Sequence, residues 1–141
     1  MERKYVPTTA ELIDRMAICQ LKAIFIPENK KEYEQEIADI ISDLNGIMKD
    51  KQVIDWGNLF RATAVNMLTN RFIWENESKA REGGAEQDKL LKLTHSINGV
   101  RANSKNVISQ MLGERKDLKL DCLAAEFILN KGYGDWQIWM Q

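Results

Sequence analysis

The sequence predicts an all-α fold: an antiparallel up-and-down helical bundle of four main helices, with a shorter C-terminal helix and an aromatic tail. Apolar residues recur at helical spacing almost throughout the chain. Only two prolines and eight glycines interrupt its 141 residues. The long periodic stretches are joined by short polar breaks, which set consecutive helices side by side in opposite directions. With 44% hydrophobic residues, a chain of this length has enough apolar surface for one core. It is read as a single domain over residues 1–141, with a core at 8–113 and a C-terminal extension at 114–141.

Pro7 precedes Thr8-Thr9-Ala10-Glu11, a capping box at the head of the first helix. That helix runs to about Ile26, and Pro27 stops it. Its apolar side is Ile18, Leu21 and Phe25, and Glu11, Asp14 and Lys22 project onto the same side. A second helix spans about Asn29 to Lys49. Ile37, Ile40, Ile41, Leu44, Ile47 and Met48 form its core stripe, and the charges between Lys30 and Glu36 form a solvated face. After the polar break at Asp50–Gln52, a third helix extends from about Ile54 to Arg81, where Gly83-Gly84 ends it. A fourth runs from about Ala85 to Leu112, closed by Gly113, with Leu90, Leu91, Ile97, Ile108 and Leu112 as its apolar stripe. A fifth, shorter helix is expected over about Arg115–Leu129. The tail holds Tyr133, Trp136 and Trp139. Exposed aromatics at that density are unusual, so the tail is expected to pack on the bundle or on a second subunit, making a homo-oligomer.

Twenty basic and twenty-one acidic residues leave a formal charge of −1, so no net basic field gathers nucleic acid. Cys19 and Cys122 stand in apolar helical contexts without C-x-x-C spacing and read as buried, reduced thiols of a cytoplasmic protein. Met1–Thr9 is short and polar, unlike a signal core, and no apolar run reaches the twenty or so residues of a membrane span.

Chemistry enters with the third helix. At about 100° per residue, Asn66, Asn70, Glu77 and Arg81 share one stripe with Leu59 and Ile73, and Trp74 lies at its edge. Two other helices repeat the pattern: Glu11, Asp14 and Lys22 lie on the apolar side of the first, and Asn98, Arg101 and Lys105 lie inside the stripe of the fourth. Polar groups buried without partners cost several kcal/mol each, so these must meet one another or a ligand. One reading is a buried ion-pair network. The other is a binding site. Arg81, Arg101, Lys22 and Lys105 suit phosphate or carboxylate oxygens, Asn70 and Asn98 can read hydroxyls or base edges, and Trp74 offers a flat face. The set suits a phosphorylated small molecule such as a nucleotide or nucleotide sugar, held without turnover. On this reading Arg101 waits for the anion, and its removal costs the empty protein little. The alternatives are a nucleotide pyrophosphatase-like hydrolase, with Glu11, Asp14 and Glu77 gathering Mg²⁺, and a purely structural oligomeric subunit. Against the hydrolase, Glu75 and Glu77 point about 200° apart. His95, the one histidine, lies beside the inward stripe and is an outside candidate for a general base. Asn103 and Asn106 are expected on the solvated side.

Three segments together carry a resemblance: E-L-I-D-R at Glu11–Arg15 with Lys22 beyond it, N-x-x-x-W-x-x-E-x-x-x-R at Asn70–Arg81, and N-x-x-R-x-x-x-K at Asn98–Lys105 followed by L-G. In that order and spacing, from Thr9 to Gly113, the chain resembles a family of short bacterial proteins catalogued only as a domain of unknown function, whose members recur beside glycan-assembly genes. The resemblance implies an all-helical fold and marks those polar positions as the ones that matter. It implies no reaction, and the segment from Glu114 onward departs from the family's short tail.

Overall fold

The computed structural model describes residues 1–116. Over them the chain forms four α-helices and no strand: α1 (Thr9–Phe25), α2 (Lys30–Lys49), α3 (Trp56–Arg81) and α4 (Gln87–Met111), with a single 3-10 turn at Pro27–Asn29 between α1 and α2. Apart from Arg115 and Lys116, the expected fifth helix and the aromatic tail lie outside the described residues. No helix among those described is long and apolar enough to cross a membrane.

Local chemistry sets the ends. At the head of α1, Thr8 Oγ1 accepts from Glu11 N at 3.2 Å and Thr8 N donates to Glu11 Oε2 at 2.9 Å, the reciprocal capping box. Asp55 caps α3 by accepting from Asn58 N at 3.1 Å. α4 closes on Gly113, whose φ of 68° is the left-handed conformation glycine adopts without strain. There Glu114 N donates to Ser109 O at 2.8 Å and Gly113 N to Gln110 O at 3.3 Å, the paired bonds of a Schellman motif. The chain then doubles back onto α1. Thr9 N and Oγ1 donate to the Glu114 carboxylate at 3.1 and 3.0 Å, and Arg115 Nη2 donates to Val6 O at 2.6 Å.

The core joins Ala10 and Ile13 of α1, Leu59, Ala62, Val65 and Ile73 of α3, and Ile97, Val100 and Ile108 of α4. α3 and α4 form the closest pair, α1 lies on both, and α2 packs chiefly on α1. This arrangement corrects two stripes. α1 turns Ala10, Ile13 and Ala17 inward, while Phe25 stays 44% exposed, because small side chains let α1 approach the α3–α4 pair closely. α2 lies outside, so Ile40 is its one buried residue. Leu44 and Met48 only lean on the core, and Ile41 is 46% exposed. On α4 the expected Leu91 is likewise exposed.

Candidate functional site

Asp14 sits in the second turn of α1, buried at 5% exposure where α1 meets α3 and α4. Its Oδ1 accepts from Arg101 Nε at 2.7 Å, Asn70 Nδ2 at 2.9 Å and Asn66 Nδ2 at 3.0 Å, and its Oδ2 accepts from Arg101 Nη2 at 2.5 Å. The guanidinium thus binds bidentately, the geometry in which arginine most exceeds lysine. Asn66 Nδ2 also reaches Ser104 Oγ at 3.3 Å, and Ser104 Oγ donates to Arg101 O at 2.6 Å. Asn70 Nδ2 further donates to Asn66 O at 3.0 Å.

The residues converge because of their spacing. Asn66 and Asn70 stand one turn apart on α3, and Arg101 and Ser104 one turn apart on α4, so each helix brings two polar groups to the level of Asp14. Electrostatics follow. Burial alone would push the Asp14 carboxyl up. The hydrogen bonds and charge of Arg101, with the Asn70 and Asn66 amides, outweigh it and hold the group below its ordinary 3.8. The bond to Asp14 raises the Arg101 guanidinium against the effect of burial, and the field of Glu77 adds to the rise.

Of the residues singled out in the sequence, Asp14, Asn66, Asn70, Asn98 and Arg101 come together. Asn98 Oδ1 stands 3.4 Å from Arg101 Nη1, on the guanidinium edge that Asp14 does not use. Glu77 is half-buried within the field of this group. Trp74, one turn beyond Asn70, stacks on Phe25 with centroids 5.8 Å apart and planes 25° apart. The Arg71 guanidinium lies 4.7 Å from the Phe25 ring centroid. Lys105 is half-buried one turn past Arg101.

The rest lie elsewhere. Lys22 turns toward α2, its Nζ 5.7 Å from the Tyr33 ring centroid. Arg81 is exposed at the last residue of α3. Glu11 serves the capping box and stands 3.7 Å from Arg115. Glu11, Asp14 and Glu77 therefore have three different settings. Among the described residues no group of three or more His, Cys, Asp or Glu is placed to hold a metal ion. His95 is exposed, Asn103 and Asn106 are half-buried rather than solvated, and Cys19 is a buried free thiol.

Ser104 escapes the sequence reading because serine in a helix is common. Its position one turn from Arg101 is the only signal. Asn76 also escapes it. That side chain is buried on α3, and among the described residues its Nδ2 has no hydrogen-bond partner. The site thus defines a helical bundle with a buried polar clamp at the junction of three helices. Compared with protein families, curated proteins and solved structures, the chain finds no match in any of the three.

Proposed function

We propose that this chain is a cytoplasmic helical-bundle protein, built in up-and-down antiparallel order, that binds an anionic, phosphorylated small molecule of the nucleotide or nucleotide-sugar kind beside Arg101. The observation that carries this reading is the division of labour within one guanidinium. Nε and Nη2 are fixed on buried Asp14, while among the described residues Nη1 has the 3.4 Å contact with Asn98. The Arg101 side chain remains 24% exposed. An arginine held on one edge and open on the other is preorganised for an oxyanion, since its rotamer entropy is lost on folding and not on binding. Asn98 and Lys105 flank it on α4, and the Trp74–Phe25 pair lies one turn up α3. The Asp14 anchor replaces the expectation that Arg101 waits unpaired.

No observation favours the hydrolase reading. Asp14 Oδ1 already accepts three donors, which leaves it a poor ligand for Mg²⁺. The structural reading, in which the clamp serves only the fold, is what the experiment separates. Full-length protein is titrated with ATP and UDP-glucose and followed by thermal melting and calorimetry. Binding is expected, with weakening by Asn98→Ala and Lys105→Ala, whose removal leaves the Asp14–Arg101 pair in place. Absence of any melting shift at millimolar ligand would leave the clamp a purely structural device.

A further inference from the structure

Two contacts fix the register of α3 against α4. Asn66 Nδ2 reaches Ser104 Oγ at 3.3 Å, and Asn70 and Arg101 meet on Asp14. Advancing along α3 therefore means going back along α4. Two turns past Asn70, on the same stripe of α3, stands Glu77, and one turn before Arg101 on α4 stands Asn98. Both lie to the same side of the guanidinium, and both are half-buried. Lys105, one turn past Arg101 on the other side, is half-buried too. Glu77 is the unpaired acid of this group. Its field reaches the Arg101 guanidinium, yet the close carboxylate partner of Arg101 is Asp14. Among the described residues the Glu77 carboxylate has no hydrogen bond or ion pair, and neither has the Lys105 ammonium. A carboxylate drawn partly out of water without a donor is penalised until a donor is supplied.

We propose that Glu77 sets the specificity of the site, selecting a phosphate ester of low charge that carries hydroxyls beside its phosphate and rejecting a terminal polyphosphate. This rests on the reading that the ligand sits beside Arg101, and it narrows that ligand to a sugar-bearing one. Charge carries the argument. Asp14 and Glu77 cancel Arg101 and Lys105, so the site taken whole is neutral. A ligand crowded with negative charge gains at Arg101 Nη1 and Lys105 but meets two carboxylates, and like charges set together oppose binding. A singly charged phosphoryl group loses little to them. Hydroxyls next to it give Glu77 the donors it lacks, in hydrogen bonds strengthened by the carboxylate charge. The Asn98 amide, whose Oδ1 is already turned to Nη1, keeps Nδ2 to donate to the ligand.

The test compares UDP-glucose with UTP, which share uridine diphosphate and end on a hexose or on a further phosphate. Both are titrated by calorimetry into the full chain, wild type and Glu77→Gln, in buffer free of divalent cations. The wild type is expected to bind UDP-glucose about tenfold more tightly than UTP, the scale of one hydrogen bond to a charged group. Glu77→Gln should narrow the gap from both sides. UDP-glucose should weaken by about fivefold, because an amide oxygen accepts without the charge, and UTP should tighten, because a repelling charge is gone. A merely structural role for Glu77 would weaken both ligands together, so the opposite signs are the signature. UTP binding to the wild type as tightly as UDP-glucose, a comparison that needs no variant, would overturn the role of Glu77 and leave the Arg101 site standing. So would a variant that moves both ligands alike or neither. Binding of neither ligand to the wild type would remove the site itself, and this inference with it.

Discussion

Arg101 grips Asp14 across 87 residues of chain, with both contacts at 2.7 Å or less. This pair ties α4 to α1, and the Asn66 and Asn70 amides on the same carboxylate bring in α3. Removing the guanidinium leaves a buried carboxylate with its desolvation penalty and two neutral donors. Arg101→Met is therefore expected to lower the unfolding free energy by about 3–5 kcal/mol, measured by denaturant melts. A loss under about 1 kcal/mol, the worth of a surface pair, would contradict the burial of this one. Arg101→Lys should recover only part of the loss, since an ammonium cannot reproduce both contacts.

Acid should loosen the same junction. Asp14 titrates below its ordinary 3.8 when folded, so the unfolded chain takes up this proton first as the pH falls. The stabilisation is complete above the unfolded value and disappears as the pH drops through the depressed folded value. Glu36 is also held down, chiefly by its hydrogen bond to Arg15, so the wild-type curve alone does not isolate Asp14. The comparison is with Asp14→Asn. Between about pH 5 and about pH 3 the wild type should lose stability more steeply than this variant. Parallel curves would remove Asp14 from the acid response.

Two buried asparagines on α3 should behave oppositely. Asn70 donates to Asp14 and to Asn66 O, and Asn70→Ala is expected to cost about 1–3 kcal/mol. Asn76 Nδ2 is buried without a partner among the described residues. Asn76→Ala removes that burden and should leave stability within about 1 kcal/mol of wild type or raise it. Paired thermal melts decide, and equal losses at the two sites would mean that Asn76 is satisfied in solution.

The head of α1 depends on residues from both ends of the described chain. Thr8→Ala should cost about 1 kcal/mol through the lost cap. Glu114→Ala should cost a similar amount, because a carboxylate at a helix N-terminus answers both the free N–H groups and the helix dipole. Faster amide exchange confined to the first turn of α1 is the expected signature. A uniform rise over α3 and α4 would instead point to global destabilisation.

Much of the helical pattern was legible because punctuation is local. The Thr8–Glu11 box, the stop before Pro27, the glycine pair after Arg81 and the closing Gly113 all sit where their chemistry requires. Five members of the polar cluster were legible for a related reason: a charged or amide group on an otherwise apolar stripe has to be answered. The answering partner was not. Spacing along one helix does not reveal which neighbour it meets, so the sequence alone offers Asp14 as a metal ligand and Arg101 as a group awaiting an anion, where the fold pairs them. The same blindness affected α2, whose Ile37–Met48 stripe looks like core by periodicity. Whether such a stripe is buried depends on which helices stand opposite, and α2 has chiefly α1.

The bond between Thr9 and Glu114 spans 105 residues, and that span has a consequence for the order of synthesis. A growing chain releases α1 and α2 long before Glu114 and Arg101 are made. Until then Asp14 lacks its guanidinium, and the first turn of α1 lacks one of its two carboxylates. The early half of this protein is thus a helical pair with an unanswered charge, held back from its final packing until the last turn of α4 has been translated.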